Sequence, residues 1–374
     1  MQFDFIVVGA GMAGASLADA LATAGPVALL EAEPHPGYHT TGRSAALFAP
    51  NYGSPTFTAL TRASREFFGA APAEFFAAPL LRPRGALYLA RAAQRARLAA
   101  EVATMRAHGA EIEELTPGAA RAQLPLLRPG YLAAAALERA VYDIDVEALF
   151  QGFLRRGRAR GVRLLTNQRL EEPPQRHGGL WQLKAGAEAL AAPVVVNAAG
   201  AWADQVAALC GAAPLGMQVL RRSAAIIDAP AGVDVSAWPA VFDINEEFYL
   251  KPDAGRLLIS PADEEPVRAG DAYAEDLAIA LAVERIQQAL DLEVERVRRS
   301  WAGLRTFAPD RDPVIGYDGG VEGFFWCVGQ GGYGIQTAPA LARLAAALAC
   351  RTALPAEVVR EGVSAASVTP ARLR

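Results

Sequence analysis

Lysine is almost missing from this chain. It stands only at Lys184 and Lys251, so arginine supplies nearly all of the 36 basic residues. Against 40 acidic residues these leave a formal net charge of −4 and a pI near 5.7. No basic face is implied, which argues against a nucleic-acid partner. Cysteine is scarce as well: Cys210, Cys327 and Cys350 are odd in number, scattered and without CxxC spacing. That excludes a disulfide framework or zinc ribbon and suits a reducing cytoplasm. The histidines, His35, His39, His108 and His177, show no HxxxH spacing, so no metal site is expected. Long apolar runs are also lacking. The most apolar late stretch, Ala338 to Ala349, is too short for a bilayer and carries Arg343. No signal-peptide pattern precedes the first strand, no repeat or low-complexity linker is visible, and a cytoplasmic protein is expected. What remains is 374 residues, 52% apolar and 20% charged, enough for about two globular domains.

The organising stretch is at the N-terminus, where Phe5-Ile6-Val7-Val8 runs into Gly9-Ala10-Gly11-Met12-Ala13-Gly14. A short apolar strand empties into GxGxxG, and from Gly11 the apolar spacing becomes helical through Leu17, Leu21 and Ala24. Gly9 permits the tight turn, Gly11 lets backbone approach a pyrophosphate, and Gly14 lets the helix lie close to the strand. The helix start offers unpaired N–H groups and a partial positive charge to phosphate. A second strand, Val27 to Leu30, ends in Glu31, placed to accept from a ribose hydroxyl. Together these form a dinucleotide cradle that does not by itself separate NAD from FAD.

Past it, the loop Pro34 to Ala46 follows the second strand at the ligand edge of an α/β sheet. Its Arg43 and Ser44 could contact phosphate or flavin, or simply be solvated. Leu60 to Phe68 reads as helix, Gly85 to Ala90 as strand, and Arg91 to Ala107 as a charged amphipathic helix. Thr116-Pro117 opens another helix, and Asp145 caps one spanning Val146 to Arg160. Strand Val162 to Leu165 and a hairpin containing Trp181 to Lys184 follow. Pro193 to Asn197 is then a buried strand ending in Ala198-Ala199-Gly200, small residues that allow close approach of a cofactor. From Pro214 onward the pattern changes to strands at Ser223 to Ile227, Glu247 to Lys251 and Arg256 to Ser260. A turn at Pro252 to Gly255 separates the last two, and a helix from Leu277 to Leu290 comes after. Strands then helices, inserted into an α/β unit, indicate a separate mixed-sheet substrate domain.

Near the C-terminus Phe324 to Val328 runs into Gly329-Gln330-Gly331-Gly332-Tyr333-Gly334-Ile335-Gln336-Thr337, a second strand-to-glycine-to-helix junction. Its helix N-terminus can face an electron-rich ring edge, such as the flavin C2 carbonyl. A dinucleotide held at both ends of the chain is a flavoprotein arrangement, so FAD is expected.

The motifs VVGAGMAGAS, YHTTGRSAA, VVNAAGAWAD, FYLKPDAG, WAGLRTFAPD and GQGGYGIQT resemble the D-amino acid oxidase-like (DAO) family of FAD oxidoreductases. Within it they resemble the D-arginine dehydrogenase-like branch most. The resemblance runs the length of the chain and implies a Rossmann-like, glutathione-reductase-type FAD-binding domain with an inserted mixed-sheet substrate domain. The former would comprise 1–76, 138–212 and 304–374, the latter 77–137 and 213–303. By the same resemblance Gly9, Gly11, Gly14 and Glu31 hold the ADP half of FAD, and Arg43, Ser44 and Ala45 lie along the pyrophosphate and flavin. Ala199 and Gly200 allow close approach, while Gly331, Gly332, Gly334, Ile335, Gln336 and Thr337 sit at the pyrimidine edge. Arg222 and Arg305 resemble a carboxylate clamp, for which a planar guanidinium fork is suited. Taken alone, each reads sooner as a surface charge. Tyr52 and Tyr249 would close the pocket, and the Gly332 carbonyl would take the substrate amine.

Two departures bear on substrate. Branch members acting on cationic D-amino acids carry a histidine at the position of Leu47 and an acidic residue near Ala86, where this chain is apolar. Leu47, Phe48 and Ala86 are therefore expected to line an apolar side-chain pocket. The family's covalent-flavin members have a cysteine near Leu304-Arg305; its absence here implies non-covalent FAD. The activity implied is oxidation of a D-amino acid, with an apolar side chain, to the imino acid and then to a 2-oxo acid and ammonia, by hydride transfer from Cα to flavin N5. Electrons would pass on to oxygen or a quinone. The alternatives are oxidation of a 2-hydroxy acid or secondary amine, and a non-catalytic flavoprotein.

Overall fold

The computed structural model describes residues 1–77, 79–186 and 188–374. Its first layer is a six-stranded sheet in the order Val314–Tyr317, Phe324–Val328, Val194–Asn197, Phe5–Val8, Val27–Leu30, Arg163–Leu165. All neighbours are parallel except the outermost pair. Parallel strands covered on both faces must be apolar at successive positions, which is why FIVV and VALL read as unbroken runs. Phe5, Val7, Leu29, Val196 and Phe325 pack on helices Met12–Leu21, Pro55–Ala70 and Gly334–Ala349. Ile6, Val8, Ala28, Val195 and Phe324 face the opposite way, toward Trp181, Leu183 and Leu190. These belong to a three-stranded antiparallel sheet, Gln175–His177, Leu180–Ala185 and Glu188–Ala192.

The second layer is a nine-stranded mixed sheet. Its order is Glu265–Pro266, Gln218–Asp228, Arg256–Ser260, Tyr249–Asp253, Ala240–Asp243, Ala86–Ala90, Ala134–Glu138, Ile112–Leu115, with Val297–Phe307 alongside Gln218–Asp228. Helix Asp276–Ala289 covers one face through Ile279, Ala282 and Ile286. The other face carries a cross-strand aromatic row, because Phe242 stands beside Tyr88 in the parallel pair and beside Tyr249 in the antiparallel one. The positions 137/138 and 303/304, expected as segment boundaries, fall inside the unbroken strands Ala134–Glu138 and Val297–Phe307.

Local chemistry accounts for the ends of the elements. Thr116 and Asp145 cap their helices as expected, accepting from the N–H groups of Ala119 at 3.2 Å and Ala148 at 2.9 Å. The helix expected from Leu60 begins earlier, at Pro55, because Ser54 accepts from Phe57 N–H. The helix expected from Arg91 starts as a 3₁₀ turn at Ala92–Gln94. Buried Gln94 accepts there from the Arg91 N–H and donates to Asp243, which fixes a break before the α-helix at Arg95.

Candidate active site

A cavity of about 390 Å³ runs between the two sheets, from the first glycine turn to the aromatic row. At its first end Gly9 has φ +102°, and a Cβ there would stand 2.5 Å from the Ala198 carbonyl oxygen. A Cβ on Gly14 would lie 1.8 Å from the Gly9 carbonyl, so only glycine lets this helix meet this turn. Gly11 opens on the cavity, and next to it the Met12 N–H donates to Thr41 Oγ1 at 2.9 Å. The Glu31 carboxylate is fixed at the wall, one oxygen accepting from Ala10 N–H and the other from Glu33 N–H, both at 3.0 Å. His39, packed on Trp202 with centroids 4.6 Å apart, meets Glu33 at 3.1 Å.

The middle is lined by Arg43, Ser44, Ala45, Ala199 and Gly200. Arg43 lines it with its guanidinium tied to the Asp271 carboxylate and the carbonyls of Ala272 and Ala302. It thereby fastens the 271–272 loop to the cavity wall. At the second junction Gly331, Gly332, Gly334, Ile335 and Gln336 line the cavity. Gln336 accepts from the Ala49 N–H at 2.9 Å, joining this helix to the strand that bears Leu47. Thr337, expected at the same edge, does not line the cavity. It is fully buried, its hydroxyl donating to the Tyr333 carbonyl and its own carbonyl accepting from Ser64. One position further along the helix than Gln336, it turns about 100° away from the cavity.

At the far end Arg222, Arg305, Tyr52, Tyr249 and Gly332 come together. The arginines differ. Arg222 donates through Nε to the Asp263 carbonyl at 2.7 Å and through Nη2 to Glu264 at 3.1 Å, and Glu264 also holds Arg311. Burial, then the charge of Arg305, draws the Arg222 guanidinium below its ordinary pKa. Arg305 has no ion-pair partner among the described residues; Tyr52, Tyr249 and Tyr333 surround it, and it packs beneath Gly332. Burial and then the Glu246 carboxylate push the Tyr52 phenol up, and its hydroxyl donates to Glu246 at 3.3 Å.

The apolar pocket is built differently from the expectation. Leu47 lines the cavity, but Phe48 and Ala86 are fully buried and do not. Leu47 and Phe48 are consecutive in a strand, so their side chains leave on opposite faces, and Phe48 packs on Phe68 and Tyr142. In place of Phe48 and Ala86 the walls contain Ala49, Tyr88, Ala224, Ala240, Phe242 and Phe248. Sequence reading missed Lys251, whose ammonium donates to Asp143 at 2.8 Å, while Glu246 stands at the rim beside Tyr249. Alternation along FYLKPDAG places Lys251 on the same face as Tyr249 and was the signal available.

The sequence profile of the DAO family, described as FAD dependent oxidoreductase, matches residues 4–348. The chain is 29% identical over 173 residues, 41% of its length, to FAD-dependent oxidoreductase domain-containing protein 1 of Bos taurus. The matched region spans 35% of that relative. Glycine oxidase from Geobacillus kaustophilus superposes with a TM-score of 0.82 at 23% identity, over 94% of this chain and 95% of that one. FAD-bound L-alpha-glycerophosphate oxidase from Mycoplasma pneumoniae superposes with a TM-score of 0.84 at 18% identity, over 94% and 95%. At these identities the solved structures share the fold.

Proposed function

The chain belongs to the DAO family of FAD-dependent oxidoreductases, and from that premise we propose that it oxidises the Cα–N bond of an amino acid, preferring a D-amino acid with an uncharged, apolar side chain. The observation that carries this reading is Arg305, a cation enclosed in the cavity with no ion-pair partner among the described residues. A buried cation without an anion is costly, and a substrate carboxylate would supply one.

The glycine turns fit FAD: at Gly9 any Cβ would strike the Ala198 carbonyl, and Gly11 leaves backbone bare to the cavity. Gly9, Gly11 and Glu31 would hold the ADP half, with Gly14 seating the helix. Ser44, Ala45, Ala199 and Gly200 would flank the middle, and Gly331, Gly334, Ile335 and Gln336 the ring edge. The chemistry FAD supplies when bound is acceptance of a hydride from the substrate Cα at N5. The protein's share is orientation and charge. Arg305 binds the carboxylate by its guanidinium fork, and Arg222, held by Asp263 and Glu264, adds positive potential beside it. Tyr52 and Tyr249 close over this pair and exclude water, and the Gly332 carbonyl accepts from the substrate amine. The side chain runs along Leu47, Ala224, Ala240 and Phe242, where apolar surface gains roughly 25 cal/mol per Å² removed from water. The oxidised product is the imino acid, which water converts to a 2-oxo acid and ammonia.

The test is an anaerobic screen of D- and L-amino acids and 2-hydroxy acids, read as bleaching of the flavin absorbance. Bleaching by apolar D-amino acids is expected. Bleaching by 2-hydroxy acids alone would replace the amine reading, and bleaching by none would leave a flavoprotein without this activity.

A further inference from the structure

Glu138 is a carboxyl group with 0% exposure and no cation within ion-pair distance among the described residues. It ends the Ala134–Glu138 strand, and Ala86 is its cross-strand partner. Its two oxygens take one donor each: the Asn51 amide at 2.7 Å and the Tyr88 hydroxyl at 3.1 Å. Burial raises the pKa of Glu138 and raises that of the Tyr88 phenol well above its ordinary value, so Tyr88 keeps its proton and is the donor. A buried carboxyl held only by neutral donors is an expensive group to retain unless it fixes something. Both donors lead to the cavity, since Tyr88 lines it and Asn51 precedes Tyr52, which also lines it.

Tyr88 is fixed at both ends. Its hydroxyl is anchored on Glu138, and its ring stacks on Phe242 with centroids 5.7 Å apart and planes 27° apart. Phe242 in turn lies 5.9 Å from Tyr249, one of the tyrosines around Arg305. The row Tyr249, Phe242, Tyr88 therefore leads across three adjacent strands away from the carboxylate anchor. Past Tyr88, neither its cross-strand neighbour Ala136 nor Glu138 contributes to the lining.

We propose that Tyr88 is the end wall of the side-chain pocket and that Glu138 is the positioning residue that holds it there, so that the enzyme selects compact uncharged side chains over long ones. This rests on the reading that the substrate carboxylate sits at Arg305, and the test separates the two. Holoenzyme is titrated with straight-chain aliphatic carboxylates from acetate to hexanoate, read as perturbation of the flavin spectrum. In parallel, kcat/KM is measured for D-alanine, D-norvaline and D-norleucine. Tyr88→Ala should shift both series toward the longer members, by about tenfold in the longest-to-shortest ratio, the order expected for a pocket that gains or loses a methylene. Glu138→Gln should shift them the same way by less, and should add nothing in a Tyr88→Ala background. If Glu138→Gln fails to fold, Tyr88→Phe removes the same hydrogen bond from the other side and should give the same smaller shift. A ratio within twofold of wild type in Tyr88→Ala overturns the end wall. A Glu138→Gln effect that survives at full size in Tyr88→Ala overturns the positioning role. A length shift among carboxylates with no amino acid oxidised upholds the wall and rejects the amine reading; turnover of amino acids with no length shift does the reverse.

Discussion

Replacing each site arginine by methionine should separate two roles that look alike in sequence. Arg305 has no ion-pair partner among the described residues, so Arg305→Met leaves no carboxylate stranded. What it removes is the charge-assisted fork to substrate. One such hydrogen bond contributes about 1.5–3 kcal/mol, so a two-pronged contact that is less than additive should be worth about 3 kcal/mol. That is on the order of a hundredfold in kcat/KM. Flavin content should hold. Arg222→Met instead strips a partner from the Asp263 carbonyl and from Glu264, which keeps Arg311. Its melting temperature should fall, by the several degrees that about 1–2 kcal/mol produces. The assay is anaerobic stopped-flow reduction of the flavin on the best substrate, with flavin fluorescence followed on heating. If Arg305→Met keeps kcat/KM within threefold of wild type while Arg222→Met loses a hundredfold, the anchor is Arg222 and an empty ion-pair position was the wrong criterion.

The glycines should divide similarly: Gly11→Val should fold yet fail to retain FAD, whereas Gly14→Ala should damage folding itself, because its Cβ would sit 1.8 Å from a backbone oxygen; circular dichroism of the apoproteins distinguishes them. Acid precipitation should release intact FAD into the supernatant, as Leu304 and Arg305 stand where a cysteine would be needed and Cys327 is fully buried; flavin left in the pellet would contradict this. Burial pushes the Cys210 and Cys327 thiols up to about 12, so at pH 8 iodoacetamide should label only Cys350 in the native protein, by intact mass and peptide mapping. D-Leucine or D-methionine should exceed D-arginine and D-lysine in kcat/KM; the reverse order would mean that Glu246, at the rim beside Tyr52, receives the cationic side chain.

Features set by a few neighbouring residues were legible in the sequence. The roles of Gly9 and Gly14 follow from a turn and a helix within six residues, and Thr116 and Asp145 cap helices three residues away. The second glycine junction is equally local. Features set by partners far along the chain were not. Arg43 is drawn off by Asp271, and Arg222 by Glu264. Nothing near either arginine announces those carboxylates. Other misses are errors of phase. Leu47 and Phe48 cannot both face one cavity from a strand, and Gln336 and Thr337 cannot both do so from a helix. Tyr88 was not legible because the register that sets it beside Phe242 is a property of the whole sheet.

The strand Val297–Phe307 crosses unbroken from the mixed sheet to the flavin side, and the Gly331 N–H donates to the Thr306 carbonyl at 2.9 Å. Arg305, the proposed substrate anchor, and the glycine junction are thus held at two points on one strand. A ligand pinned at Arg305 keeps little freedom except rotation about the line from its carboxylate to its Cα. With the amine also held at the Gly332 carbonyl, as proposed, mirror-image substrates would differ in whether hydrogen or side chain is turned toward the flavin. On such a frame handedness is read by the walls beside that strand, so an exchange of wall residues can invert chirality preference while the anchor and the junction remain where they are.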